Sequence, residues 1–169
     1  MVTFDTTFLT LMFVQQASHP VPDAADRVNE LLLDLSGAGT QVLIPTPSLS
    51  EILVRTGEAT EKILSILNQT TRFVIAPFDE KAALELAAMT EAAIKRGDKR
   101  DGSKESWAKV KFDRQIVAIS KIDQVSVIYS DDHHIESIGA REGMRVVKVA
   151  DLRRRPSQED FNLAPPPRG

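Results

Sequence analysis

Apolar runs of three to five residues alternate along the chain with longer segments whose apolar positions recur every three or four residues. The short runs read as strands buried on both faces of a parallel sheet, and the longer segments as helices laid against it. Val2-Thr3-Phe4 opens the chain as a strand ending at Asp5, and Phe8–Val14 follows as a helix. After the His19-Pro20-Val21-Pro22 loop, Asp23 is placed to cap a helix over Ala24–Ser36, with Val28, Leu31, Leu32 and Leu35 inward and Gly37 past its end. Val42–Ile44 is a second strand, after which Pro47 suits the first position of a helix capped by Thr46. Glu58–Asn68 continues helical, and Phe73–Ile75 is a third strand. Asp79 caps a long helix over Ala82–Arg96, closed by Gly97. A helix near Glu105–Ile122, a strand at Val125–Tyr129, a short helix at Ile135–Gly139 and an edge strand at Arg145–Val149 complete the order. This alternation predicts an α/β fold with a central, mainly parallel five-stranded sheet and right-handed crossovers. Residues 1–151 read as one domain; residues 152–169, with three consecutive arginines and a run of prolines, read as a disordered basic tail.

The segment Phe112–Ile135 holds the polar positions that this pattern does not explain. On a helical wheel Asp113 lies about 60° from Ile116 and about 40° from Val117, both core-like. A carboxylate on such a surface must be paired, protonated or bound to a cation. A salt bridge to Arg114 or to a distant lysine is one reading, and metal ligation the other. Ser130, Asp131 and Asp132 follow the fourth strand directly, at the sheet edge where open α/β folds gather ligands. Asp5 has the same position after the first strand, as a helix cap, a ligand or both. Glu51 either closes a capping box with Ser48 or, if Thr46 is the cap, is free to point elsewhere.

Composition narrows the chemistry. The 169 residues, 42% hydrophobic and 27% charged, fit one globular domain. A net charge of -3 excludes a general polyanion binder, so nucleic acid would have to meet local basic groups or bound cations. The absence of cysteine excludes disulfides, zinc thiolates and thiol nucleophiles. No apolar run approaches the roughly 20 residues of a membrane span, and the start has Asp5 within its apolar stretch and no basic lead. The expectation is a cytoplasmic protein with no membrane association. The charged loop Gly97–Glu105, with Lys99, Arg100 and Lys104, reads as a solvated turn, and at least one of His133 and His134 as a surface residue. Asp5, Glu51, Asp113 and Asp132, brought to one sheet edge, would repel one another unless a cation neutralised them. Oxygen ligands alone point to hard cations, Mg²⁺ or Mn²⁺.

The stretches VTFDTTFL, PSLSEIL and KFDRQIVAISKIDQVSVIYSDDHHI resemble those of the PIN-domain ribonucleases, most closely the VapC-type toxins of type II toxin–antitoxin pairs, over about residues 2–149. The resemblance implies a three-layer α/β/α sandwich and a metal-dependent endoribonuclease that hydrolyses RNA phosphodiester bonds with Mg²⁺ or Mn²⁺. By position it assigns Asp5, Glu51, Asp113 and Asp132 as the metal-binding and catalytic acids, with Asp131 a substitute ligand. Thr6 matches the supporting hydroxyl residue, and Ser130, two residues before the fourth acid, selects Asp132 over Asp131. Thr7 departs from the pattern, which commonly has Asn there. An RNA substrate, an antitoxin protein seated in the acidic cleft and a homodimer are the implied partners. The alternative is a catalytically silent PIN-like module that binds RNA or protein. A phosphoacceptor receiver domain would need its acceptor after the third strand, where Ala76-Pro77-Phe78 stands.

Overall fold

A computed structural model describes residues 1–14 and 16–154. Five strands, β1 (Val2–Phe4), β2 (Val42–Pro45), β3 (Phe73–Ala76), β4 (Val127–Tyr129) and β5 (Arg145–Val147), form one sheet in the order β3-β2-β1-β4-β5. Every pairing is parallel. The helices are α1 (Thr6–Phe13), α2 (Ala24–Gly37), α3 (Thr46–Thr56), α4 (Thr60–Asn68), α5 (Glu80–Lys95), α6 (Trp107–Ile122) and α7 (His133–Arg141). Short 3-10 turns occupy Gly57–Ala59 and Val149–Asp151.

The period-two alternation of the strands divides the core. Val2, Phe4, Val42 and Ile44 project to one face, where they pack with Phe8, Leu9, Leu11, Val28, Leu49, Ile52, Ile63 and Leu67 of α1 to α4. Ile128 projects to the other, against Ile116, Val117 and Ala118 of α6 and Ile135 and Ile138 of α7. Leu43 and Ala76 meet Ile119 of α6 and Ala82 of α5 on that same side. The result is a three-layer α/β/α sandwich. Phe4, Phe8 and Tyr129 pack at ring-centroid distances of 5.4 Å, fixing α1 over the middle strands. Thr3, polar yet wholly buried in the central strand, is satisfied by Ser120 Oγ of α6 at 2.8 Å, and this bond registers α6 on the sheet.

Element boundaries shift from expectation where local chemistry intervenes. Pro45 takes the N-cap position of α3, so Pro47 is its second residue and not its first. Thr46 Oγ1 instead accepts from the Phe78 backbone N–H at 3.1 Å. Asp23 stands at the N-cap position of α2 in a left-handed conformation and makes no capping bond. Its carboxylate faces Arg154 at 3.4 Å. α6 starts at Trp107, capped by Ser106, and β4 starts two residues late because a tight turn through Gln124 (φ 56°) occupies the approach. The expected tail begins with a partly buried Leu152 whose carbonyl accepts from Arg27, at 2.9 Å, followed by exposed Arg153 and Arg154. Its remainder, 155–169, lies outside the described residues.

Candidate active site

All four acids singled out in the sequence line one pocket of about 320 Å³ at the carboxyl edge of the sheet. β1 ends into Asp5, β4 ends three residues before Asp132, α3 carries Glu51 one turn in from β2, and α6 presents Asp113 from its middle. Parallel strands all end on the same side, so residues distant in sequence meet there.

Each carboxylate is held differently. Asp5 is buried; its Oδ1 accepts from the Phe8 N–H at 3.1 Å, capping α1, and its Oδ2 accepts from the Ser130 hydroxyl. The cap reading of Asp5 therefore holds, and the same carboxylate lines the pocket. Burial pushes its carboxyl from the ordinary 3.8 up to about 7, against the hydrogen bonds from Ser130, Phe8 and Thr7 that favour the ionised form. Ser130 Oγ also accepts from the Asp132 N–H at 3.0 Å, so one hydroxyl ties the two strand ends together.

Asp132 caps α7. Its Oδ1 accepts from the N–H groups of His134 and Ile135 at 2.7 and 3.2 Å, and its Oδ2 from Lys109 Nζ at 2.8 Å. Burial would raise its pKa, but the bond and charge of Lys109 together with the two backbone donors hold it below the usual range. Asp113, 1% exposed, divides its oxygens between Lys109 and His134 Nδ1, the latter at 2.9 Å. Glu51 Oε2 accepts from Thr6 Oγ1 at 2.5 Å, so the glutamate turns toward α1 and makes no capping box. The Thr6 hydroxyl orients it.

Three expectations need correction. Asp113 does pair with a cation, but with Lys109 one turn earlier and not with Arg114. Arg114 is wholly buried and binds Asp101 and the Lys99 carbonyl, each at 2.7 Å, because the turn at Gly97–Glu105 folds back over α6. That loop is consequently a built element: Asp101 also meets Arg96 at 2.7 Å and Arg141 at 2.9 Å, and Lys99 lies over the Trp107 ring. Asp131 is not among the pocket's lining residues; it accepts from the Val149 N–H at 2.8 Å and meets His19 Nε2 at 2.6 Å. Its oxygens are thus committed away from the place a substitute ligand would take. The two adjacent histidines part company, as their helical spacing requires: His133 is exposed beside Glu136, while His134 is buried against Asp113.

Sequence reasoning missed Lys109, Arg55 and His19 as pocket groups, and His134 as the buried partner of Asp113. The four-residue spacing of Lys109 and Asp113 on a helix was the available signal for the first. Nothing local marks Arg55 or His19, which arrive from α3 and the loop after α1.

The donor set suits a hard cation in chemistry: carboxylate oxygens, one of them buried and reluctant to ionise unaided. Among the described residues no three His, Asp or Glu side chains form a ready cage. Magnesium does not require one, since it commonly keeps several waters and takes one or two protein carboxylates. The position between Asp113 and Asp132 already holds a cation, the Lys109 ammonium.

No family model and no curated protein matches the chain. Solved structures match its fold. A chain of VapBC2 from Rickettsia felis, crystallised bound to a DNA fragment from its promoter, superposes with a TM-score of 0.54 at 12% identity, covering 88% of this chain and 98% of that one. A chain of DNA-bound VapBC from Salmonella typhimurium gives 0.56 at 14%, covering 88% and 97%. Mycobacterium tuberculosis VapC20, a sarcin-ricin-loop-cleaving toxin, gives 0.51 at 16%, covering 82% and 95%. The fold of the chain is thus the PIN-like fold of VapC type expected from its motifs.

Proposed function

We propose that the chain is a metal-dependent endoribonuclease, the toxin of a toxin–antitoxin pair. The observation that carries this reading is the convergence of Asp5, Glu51, Asp113 and Asp132 from four separate elements into one pocket. A fold needs no such concentration of carboxylates, and a catalytic cation does. The likeness in fold to a toxin that cleaves the sarcin-ricin loop supports RNA as the substrate.

Asp5 and Asp113, the two most buried acids, are the residues assigned to hold Mg²⁺ or Mn²⁺ directly, with Glu51 and Asp132 completing the shell directly or through water. When bound, such an ion activates water for in-line attack on a phosphodiester and offsets the charge that develops on the phosphoryl oxygens. Thr6 keeps Glu51 oriented, and Ser130 keeps Asp5 and Asp132 in fixed relation, so little reorganisation is left for the reacting complex. Arg55 and Lys109 at the pocket wall meet the substrate's phosphates with positive charge. A pocket of this size admits one strand of backbone, which favours single-stranded or loop RNA. The same acids offer a seat for an inserted Arg or Lys from an antitoxin, in keeping with the VapBC complexes that share the fold. A homodimer is part of the same proposal.

One observation favours the silent binding module instead: Lys109 already bridges Asp113 and Asp132. A single assay separates the two readings. Labelled single-stranded RNA is incubated with the protein and Mg²⁺ or Mn²⁺, with EDTA, and with folded Asp113→Asn. Cleavage that disappears in both controls supports the nuclease. No cleavage, together with no calorimetric metal binding, moves the conclusion to the silent module.

A further inference from the structure

We propose that Lys109 is an exchangeable cation: its ammonium keeps the place between Asp113 and Asp132 until a divalent ion takes it, and then swings toward the adjoining cleft. This rests on the metal-dependent reading above.

The three partners are unequally fixed. Asp113 is 1% exposed and held on its other oxygen by His134, and Asp132 is pinned by two backbone N–H groups of α7. Lys109 has only a flexible four-carbon stem, and its side chain is 40% exposed. When something must yield, the lysine yields. It also has a destination, because it lines both the acidic pocket and a neighbouring cleft bordered by Lys104, His133 and Ser137. Charge favours the exchange: one ammonium leaves a net negative charge on two carboxylates, whereas a divalent ion cancels both. The displaced ammonium then stands at the pocket mouth, free to meet a phosphodiester. A tethered competitor of this kind lowers metal affinity by the free energy needed to release it.

The test titrates Mn²⁺ into the full chain by calorimetry, comparing wild type with Lys109→Met, which keeps the stem and removes the charge. Lys109→Met should bind Mn²⁺ at least tenfold tighter, and its metal-free melting temperature should fall while added Mn²⁺ raises it more than in wild type. Equal or weaker binding by a folded Lys109→Met overturns the proposal, and would make Lys109 a residue that positions the acids for metal. If neither protein binds Mn²⁺, the metal-dependent reading itself fails and the exchange with it. Should Lys109→Met not fold, wild type suffices: lysine acylation read by mass spectrometry should rise at least threefold at Lys109 on adding Mg²⁺, with the exposed Lys111 unchanged. Unchanged labelling of Lys109 with Mg²⁺ bound overturns it equally.

Discussion

Asp5→Asn should stabilise the metal-free protein at alkaline pH. The carboxyl of Asp5 is raised from 3.8 to about 7, mainly by burial. In the unfolded chain the group loses its proton near pH 4; in the folded chain it keeps it until about pH 7. Between those values the native state binds the extra proton, so stability falls as pH rises, by about 1.4 kcal/mol per pH unit. Above pH 7 the accumulated loss has an upper bound of about 4 kcal/mol. Asparagine removes the titration and preserves the acceptor for the Phe8 N–H. It deprives the Ser130 hydroxyl of its acceptor, which takes back about 1 kcal/mol. The expected net gain at pH 8.5 is therefore about 3 kcal/mol, shrinking toward zero or below at pH 5. Urea unfolding in EDTA at both pH values, wild type against Asp5→Asn, measures the difference and cancels groups common to both. The reasoning fails if Asp5→Asn is less stable than wild type at pH 8.5, for then the carboxylate is already compensated inside the protein.

Two further substitutions probe the supports of the site and of the loop beside it. Ser130→Ala removes the donor to Asp5 and the acceptor of the Asp132 N–H; it should cost about 1–2 kcal/mol in urea unfolding, and push the Asp5 carboxyl higher still, extending the decline of stability with pH to more alkaline values. Asp101→Ala strips the wholly buried Arg114 of its carboxylate and should cost about 3–5 kcal/mol, while Asp101→Asn, which also tolerates the positive φ of 54°, should cost less; equal losses in the two would assign the whole effect to the lost charge and none to backbone conformation.

The order and kind of the elements were legible because the signals are local: short continuous apolar runs, helix caps such as Asp79, and the glycine that follows α5. Asp113 was legible for a similar reason, as a carboxylate inside an otherwise apolar helix surface. What could not be read locally depends on distant partners. Asp101 reads as one more charge in a polar loop, and only the fold brings Arg96, Arg114 and Arg141 around it. Ser130 singles out Asp132 over Asp131 by resemblance, but the physical difference comes from the fold: the N-cap of α7 turns one toward the pocket while His19 and Val149 fix the other. The four-residue spacing on α6 offers Lys109 to Asp113, but its second partner, Asp132, lies 23 residues away and is brought to it only by the fold.

The pocket acids also have structural duties, and this governs how they should be tested. Asp5 begins α1 and Asp132 begins α7, each by accepting backbone N–H groups that would otherwise go unpaired at the sheet edge. Helix starts and the carboxyl ends of parallel strands coincide in this architecture, so a residue at that junction can cap and face the pocket at once. Alanine at Asp132 would remove a cap worth about 1 kcal/mol along with any catalytic role, and a loss of activity would then be ambiguous. Asparagine keeps the accepting oxygen and deletes the charge. Asp113 caps nothing, lying inside α6 with its oxygens committed to Lys109 and His134. It is therefore the acid at which loss of charge and loss of fold are most cleanly separated.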